Sequence, residues 1–151
     1  MKLAEALIQR ADIQKRIASL KDRITRMAQV QEGDEPVEAP EKLIEKVRTL
    51  AQEMESFIVR INQTNMVTRL ADGQTLTAAL ARRDILALQA GVLRSAMEAA
   101  TQRADRYSAK ELRYVATLDL VRLQDRIDAL GQELRELTTA VQAANWQVEL
   151  A

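Results

Sequence analysis

Apolar residues recur at spacings of three and four along three stretches of this chain. The first stretch runs Leu3, Ala6, Arg10, Ile13, Ile17, Leu20, Ile24, Met27, and the second Leu43, Val47, Leu50, Met54, Phe57, Ile61, Thr64. The third is Leu120, Leu123, Ile127, Leu130, Leu134, Leu137, Val141, Ala144. A repeat averaging about 3.5 residues lays a narrow apolar seam along one side of a helix, the pattern with which helices pack as coiled coils. It predicts an all-α fold: an antiparallel helical bundle built from long coiled-coil-like hairpins. Four main helices are expected over about 3–28, 41–68, 77–100 and 119–145, in a single domain of residues 1–151. A seam of this kind specifies packing partners, not chemistry.

The interruptions divide the helices. Residues 30–40, VQEGDEPVEAP, combine Gly33 with two prolines and several acids, which breaks a helix and keeps the connector solvated. The stretch lacks the alternating ligands and terminal Glu of a calcium loop. Pro40 and the acids after it suit the positive N-terminus of helix 2. Helices 1 and 2 then form a hairpin with arms of roughly 25 residues, about 37 Å long. Arg10 sits in the first seam, either packing its stem with the guanidinium in water or forming an ion pair that fixes register.

Helix 3 carries Leu80, Ile85, Leu86, Leu88, Val92, Leu93, Ala96 and Met97 over more than one face. With small Ala87, Ala90 and Gly91 among them, it is expected to be the central, most buried helix. The segment TQRADRYSAKELRYVATLD is the least regular. Ser108 and Glu111 fit a capping box, whereas a short extended segment near 112–118 is the alternative. Asp119 is placed to cap helix 4. Trp146, the single tryptophan, either anchors a tail onto a neighbour or packs on the bundle end.

Composition narrows the chemistry. The chain has 151 residues, 4 Gly, 2 Pro and 3% aromatic residues, the profile of a helix former with little material for sheets. No apolar run approaches the roughly 18 residues of a spanning helix, and charges at Lys2, Glu5, Arg10 and Asp12 interrupt any secretory signal, so a cytoplasmic protein is expected. With no Cys and no His there is no zinc finger, iron–sulfur cluster, disulfide, catalytic triad or His base. Any metal site would be built of oxygen ligands alone, and no dense carboxylate cluster has the spacing for one. These exclusions leave no catalytic residue, metal site or cofactor to name, and they point away from an enzyme.

Net charge is zero, yet it alternates in blocks. Residues 1–28 hold seven basic and three acidic groups, residues 29–56 three and eight, residues 57–113 nine and five, and residues 114–151 three and six. Opposite-sign neighbours suit antiparallel helices, and internal pairing explains the alternation. With a pI of ≈ 6.4 the chain does not resemble a nucleic-acid-binding domain.

One polar region remains. Around the turn at Asp72-Gly73 lie Arg60, Asn62, Asn65 and Arg69 before it, then Arg82, Arg83 and Asp84 after it, with Thr75 or Thr77 as the N-cap of helix 3. Asn62 with Asn65, and Asn65 with Arg69, share a helical face. Folding back about the turn would gather Arg forks, amides and a helix N-terminus, the parts that hold a small anion such as a phosphate or carboxylate. The competing reading is that these groups satisfy one another and pin the turn.

The strings KLAEALIQRADIQKRI, VQEGDEP, RINQTN, DGQTLTAALARRD, DRYS and NW, in this order over nearly the whole chain, resemble the septicolysin-like bacterial family, a helical domain family of unassigned function. The family label implies an oxygen-labile pore-forming toxin. This chain has no Cys for oxygen sensitivity, no signal and no amphipathic β-hairpin of membrane-inserting length, so the resemblance extends to the domain and not to that activity. The reading is a cytoplasmic, homo-oligomeric structural or interaction module with neither nucleic-acid nor membrane partners. The alternative is a small-anion or nucleotide-binding protein using the Arg/Asn-rich turn.

Overall fold

The computed structural model describes residues 1–101 and 115–151. It is all-α, with four helices: α1 (Leu3–Met27), α2 (Pro40–Val67), α3 (Leu76–Thr101) and α4 (Leu120–Gln147). Among the described residues there is no strand; isolated bridges occur, one of them pairing Lys2 with Glu149. The extended alternative for 112–118 falls partly on residues outside the described ones, and 115–118 has no regular structure. The capping box at Ser108 and Glu111 also lies outside the described residues. The chain forms two compact units, one of Met1–Arg69 with Gln142–Ala151 and one of Leu70–Val141.

In the first unit, α1 and α2 pack as an antiparallel hairpin. Glu5 opens α1 by accepting the Lys2 N–H at 2.8 Å, and Pro40 supplies the first residue of α2, where its missing N–H costs no helical bond. The buried side chains Leu3, Ala6, Ile13 and Leu20 of α1, with Leu43, Phe57 and Ile61 of α2, are largely the seam positions. Arg10 is half-buried and has no ion pair among the described residues, so its stem packs and its charge reaches water. At the connector end Arg23 grips Glu38 with two hydrogen bonds, one from Nε at 2.9 Å. That grip, with the positive field of Arg23 and Lys46, lowers the Glu38 pKa.

The far end of this unit is closed by the chain's own C-terminal segment. The Leu3 N–H donates to the Val148 carbonyl at 2.9 Å, and the Leu150 N–H to the Met1 carbonyl at 2.8 Å. Glu149 accepts from the Met1 amino group and from Lys2 Nζ, each at 2.8 Å. Thr64, a buried hydroxyl in the α2 seam, accepts the Ala151 N–H at 3.0 Å and donates to the Arg60 carbonyl at 2.9 Å. Leu150 is buried beneath these bonds. Trp146, by contrast, is 56% exposed, so packing on the bundle end leaves much of its ring uncovered.

The second unit is the α3–α4 hairpin. Its entry is a turn in which Gly73, at φ +85°, takes a backbone conformation that side chains resist. The Gly73 N–H donates to the Leu70 carbonyl and the Leu70 N–H to the Gln74 carbonyl, both at 2.9 Å. Thr75 caps α3, its hydroxyl accepting the Ala78 N–H at 3.2 Å, and Asp119 caps α4 by accepting the N–H groups of Val121 and Arg122 at 3.1 Å. The hairpin is antiparallel: Arg82 near the start of α3 pairs with Glu133, while Leu93 further along lies beside Arg126 and Leu130. Leu76, Ala79, Leu86 and Ala90 are fully buried, with Leu123, Ile127 and Val141 from α4. Ala90 is thus a close-packing position, whereas Ala87 and Gly91 face solvent.

Candidate functional site

The polar residues expected around Asp72-Gly73 divide between the two units. Arg60, Asn62, Asn65 and Arg69 belong to the first, and Asp72, Arg82, Arg83 and Asp84 to the second. Arg60 is committed to the tail, its Nε donating to the Ala151 main-chain oxygen at 2.7 Å. Asn62 is exposed and Asn65 half-buried, neither with a hydrogen bond among the described residues, and Arg69 is exposed.

In the second unit each charged candidate has a partner of its own. Asp72 binds Gln74 through both carboxylate oxygens, accepting its backbone N–H at 3.1 Å and its side-chain amide. Arg82 reaches Glu133 at 2.7 Å, and Arg83 folds onto Asp84 at 2.9 Å. The guanidinium forks that an anion would need are therefore turned onto carboxylates of the same unit. Among the described residues no group of three or more acids is arranged to hold a metal ion.

A feature of another kind stands out on α3. The helix carries two apolar seams, not one. The inner seam, Leu76, Ala79, Arg83, Leu86, Ala90, Leu93 and Met97, holds the fully buried residues of this helix. The outer seam, Ala81, Ile85, Leu88, Val92, Ser95 and Ala99, repeats the same spacing nearly opposite, about 160° away at 100° per residue. Ile85 is 47% exposed, Leu88 63% and Val92 60%. This corrects the expectation that helix 3 is the most buried, because its outer seam stands in solvent.

Beside the outer seam a largely apolar cleft of ≈ 450 Å³ opens between α3 and α4, lined by Leu88, Gln89, Val92 and Leu93 on one side and by Arg126, Ala129 and Leu130 on the other. A second cleft, ≈ 510 Å³, lies between α1 and α2 over Leu20 and Leu50. Its rim includes Lys42 and Lys46, which have no ion pair among the described residues. Sequence reading missed both clefts. The outer-seam residues were visible as a broad apolar helix, but which of its faces stays open was not.

Over residues 10–150 the chain matches the model of a family of unknown function, DUF6847. It belongs to that family. The structure is also similar to the crystal structure of a functionally unknown conserved protein from Corynebacterium diphtheriae, with 38% sequence identity and a TM-score of 0.94 over 100% of this chain and 99% of that one. The search of curated proteins finds no match. A likeness this extensive shows the four-helix fold and leaves function to be argued from the sites. No helix among the described residues is long and apolar enough to cross a membrane.

Proposed function

We propose that this member of DUF6847 is a self-associating structural or interaction module. The observation that carries the reading is the outer seam of α3, where Ile85, Leu88 and Val92 repeat at helical spacing and stand exposed. A helix apolar on two opposed faces is built to be covered on both, and contiguous apolar patches of this kind mark protein interaction sites. The septicolysin-like resemblance enters the same reading for its helical domain and not for pore formation. Sedimentation velocity or light scattering at micromolar concentration tests it. An oligomer is expected, and a monomer at those concentrations overturns it.

The anion-binding alternative draws less support, because Arg60, Arg82 and Arg83 are each held by an oxygen of the chain itself. Its test is a thermal shift with phosphate compounds that Arg69→Ala and Arg83→Ala abolish.

A further inference from the structure

We infer that the cleft between α1 and α2 binds a free amphipathic anion, a small molecule with an oxyanion head on an aliphatic body, and that Lys42 and Lys46 hold the head. The site is separate from the Asp72-Gly73 turn and from the outer seam of α3, so it stands whether or not the chain self-associates.

The cleft, ≈ 510 Å³, has the size of small-molecule sites. Leu20, buried, and Leu50, half-buried, give it an apolar floor. Charge surrounds that floor. Arg16 pairs with Asp12 and Arg23 with Glu38, whereas Lys42 and Lys46 have no ion pair among the described residues. Glu38 feels the field of Lys46 as well, but its hydrogen bonds come from Arg23. Among the described lining residues the one acid, Glu45, is turned onto Arg48, which donates three hydrogen bonds to it at 2.7–3.1 Å. Together with the partners Asp12, Glu38 and Arg48, the lining residues carry five basic and three acidic groups. The cleft is therefore positive in a chain of zero net charge.

The two lysines stand where α2 itself gains nothing from them. One turn apart, with Cβ atoms about 5–6 Å from each other, they are like charges at i and i+4, which repel. Lys42 also lies in the first turn of α2, where the positive end of the helix favours acids over bases. Two broken local rules at the mouth of one cleft are what a binding site leaves in a sequence. An anionic head between the two ammonium groups offsets both costs, because it neutralises the pair and faces the positive end of the helix.

Length decides the class of occupant. The lining covers residues 16–23 of α1 and 42–50 of α2, about 10–12 Å of helix axis at 1.5 Å per residue. That suits a small molecule and is short for a helical peptide, which needs roughly 12 residues or more to hold its form. An extended anionic surface fits poorly too. The connector leading into α2 carries Glu32, Asp34, Glu35 and Glu38, and Glu41 follows, so a bilayer or a nucleic acid would meet these acids together with the lysines.

Calorimetric titration with octyl phosphate below its micelle-forming concentration, with octanol and inorganic phosphate as controls, separates body from head. Octyl phosphate is expected to bind at least about 10-fold tighter than either control, since it alone covers the floor and meets the lysines. The double variant Lys42→Gln, Lys46→Gln is expected to lose at least about 10-fold of that affinity. Its helicity by circular dichroism should be unchanged, because both side chains are exposed. Undiminished binding by the double variant overturns the site, since the amphiphile then sits elsewhere, and so does wild-type binding no tighter than that of the controls. Co-sedimentation with vesicles containing phosphatidic acid tests the source of the ligand. Protein left in the supernatant is expected; pelleting that the two substitutions abolish overturns the choice of a free ligand over a membrane lipid.

Discussion

The two units solve the same problem in opposite ways. The first encloses an antiparallel hairpin and then seals its open end with residues 148–151, which bond to Met1, Leu3, Arg60 and Thr64 and bury Leu150. The second is also a hairpin, yet Ile85, Leu88 and Val92 on the outer seam of α3 stand exposed, with no segment over them among the described residues. Equal apolar periodicity therefore has unequal outcomes. Where the chain returns to cover a face, the pattern becomes core; where it does not, the same pattern becomes a surface with an attraction for something else.

The sharpest way to break this contrast is to truncate one side chain on each seam of α3. Leu86→Ala, in the fully buried seam, is expected to destabilise the fold by about 2–5 kcal/mol in urea unfolding, through lost burial and the cavity left behind. Leu88→Ala, two residues away in sequence and exposed, should stay within about 0.5 kcal/mol when measured dilute enough to keep the chain monomeric. Equal losses at the two positions would mean that the seams are not distinct.

The clasp of the first unit has smaller but separable parts. Thr64→Val removes a buried hydroxyl that both donates and accepts, leaving the Ala151 N–H without its acceptor; a loss of about 1–3 kcal/mol is expected by the same measurement. Glu149 gives the clasp an acid sensitivity. Hydrogen bonds from Lys2 and from the N-terminal amino group hold its carboxyl down to about 2. A folded pKa below the unfolded one means that the contribution is fully present above the unfolded value of about 4.3 and is lost as the pH falls toward 2. The urea midpoint of the wild type should drop across that window, and Glu149→Gln should flatten that part of the drop.

The smallest effect is expected at Arg82→Ala. Its pair with Glu133 is half exposed on both sides, and such pairs contribute about 0.2–1 kcal/mol, weakened further by salt. A larger loss, insensitive to salt, would show that Arg82 serves more than this surface pair.

Much of the fold was legible because it is local. Seams on α1, α2 and α4 depend only on spacing within one helix, and the caps Thr75 and Asp119 depend on neighbours two or three residues away. The features that escaped are those in which distant residues meet. Arg82 looked available for an anion because its partner, Glu133, lies on another helix, out of reach of same-helix reasoning. Thr64 read as a seam position, but nothing near it in sequence announces that Ala151 supplies its hydrogen bond. On α3 the sequence showed apolar residues over more than one face, and periodicity alone has no means of saying which face the chain will cover.

The tail clasp has a consequence in time as well as in space. Unit one is discontinuous in sequence, because residues 70–141 stand between its two pieces. Contacts within each hairpin close comparatively short loops, whereas the bond from Leu3 to Val148 joins distant parts of the chain and carries the larger entropic cost of doing so. The sealed end forms only when residues 142–151 meet Met1, Lys2 and Thr64. The core around Leu3 and Ile61 is thus closed by a contact of long sequence separation, the kind that forms slowly.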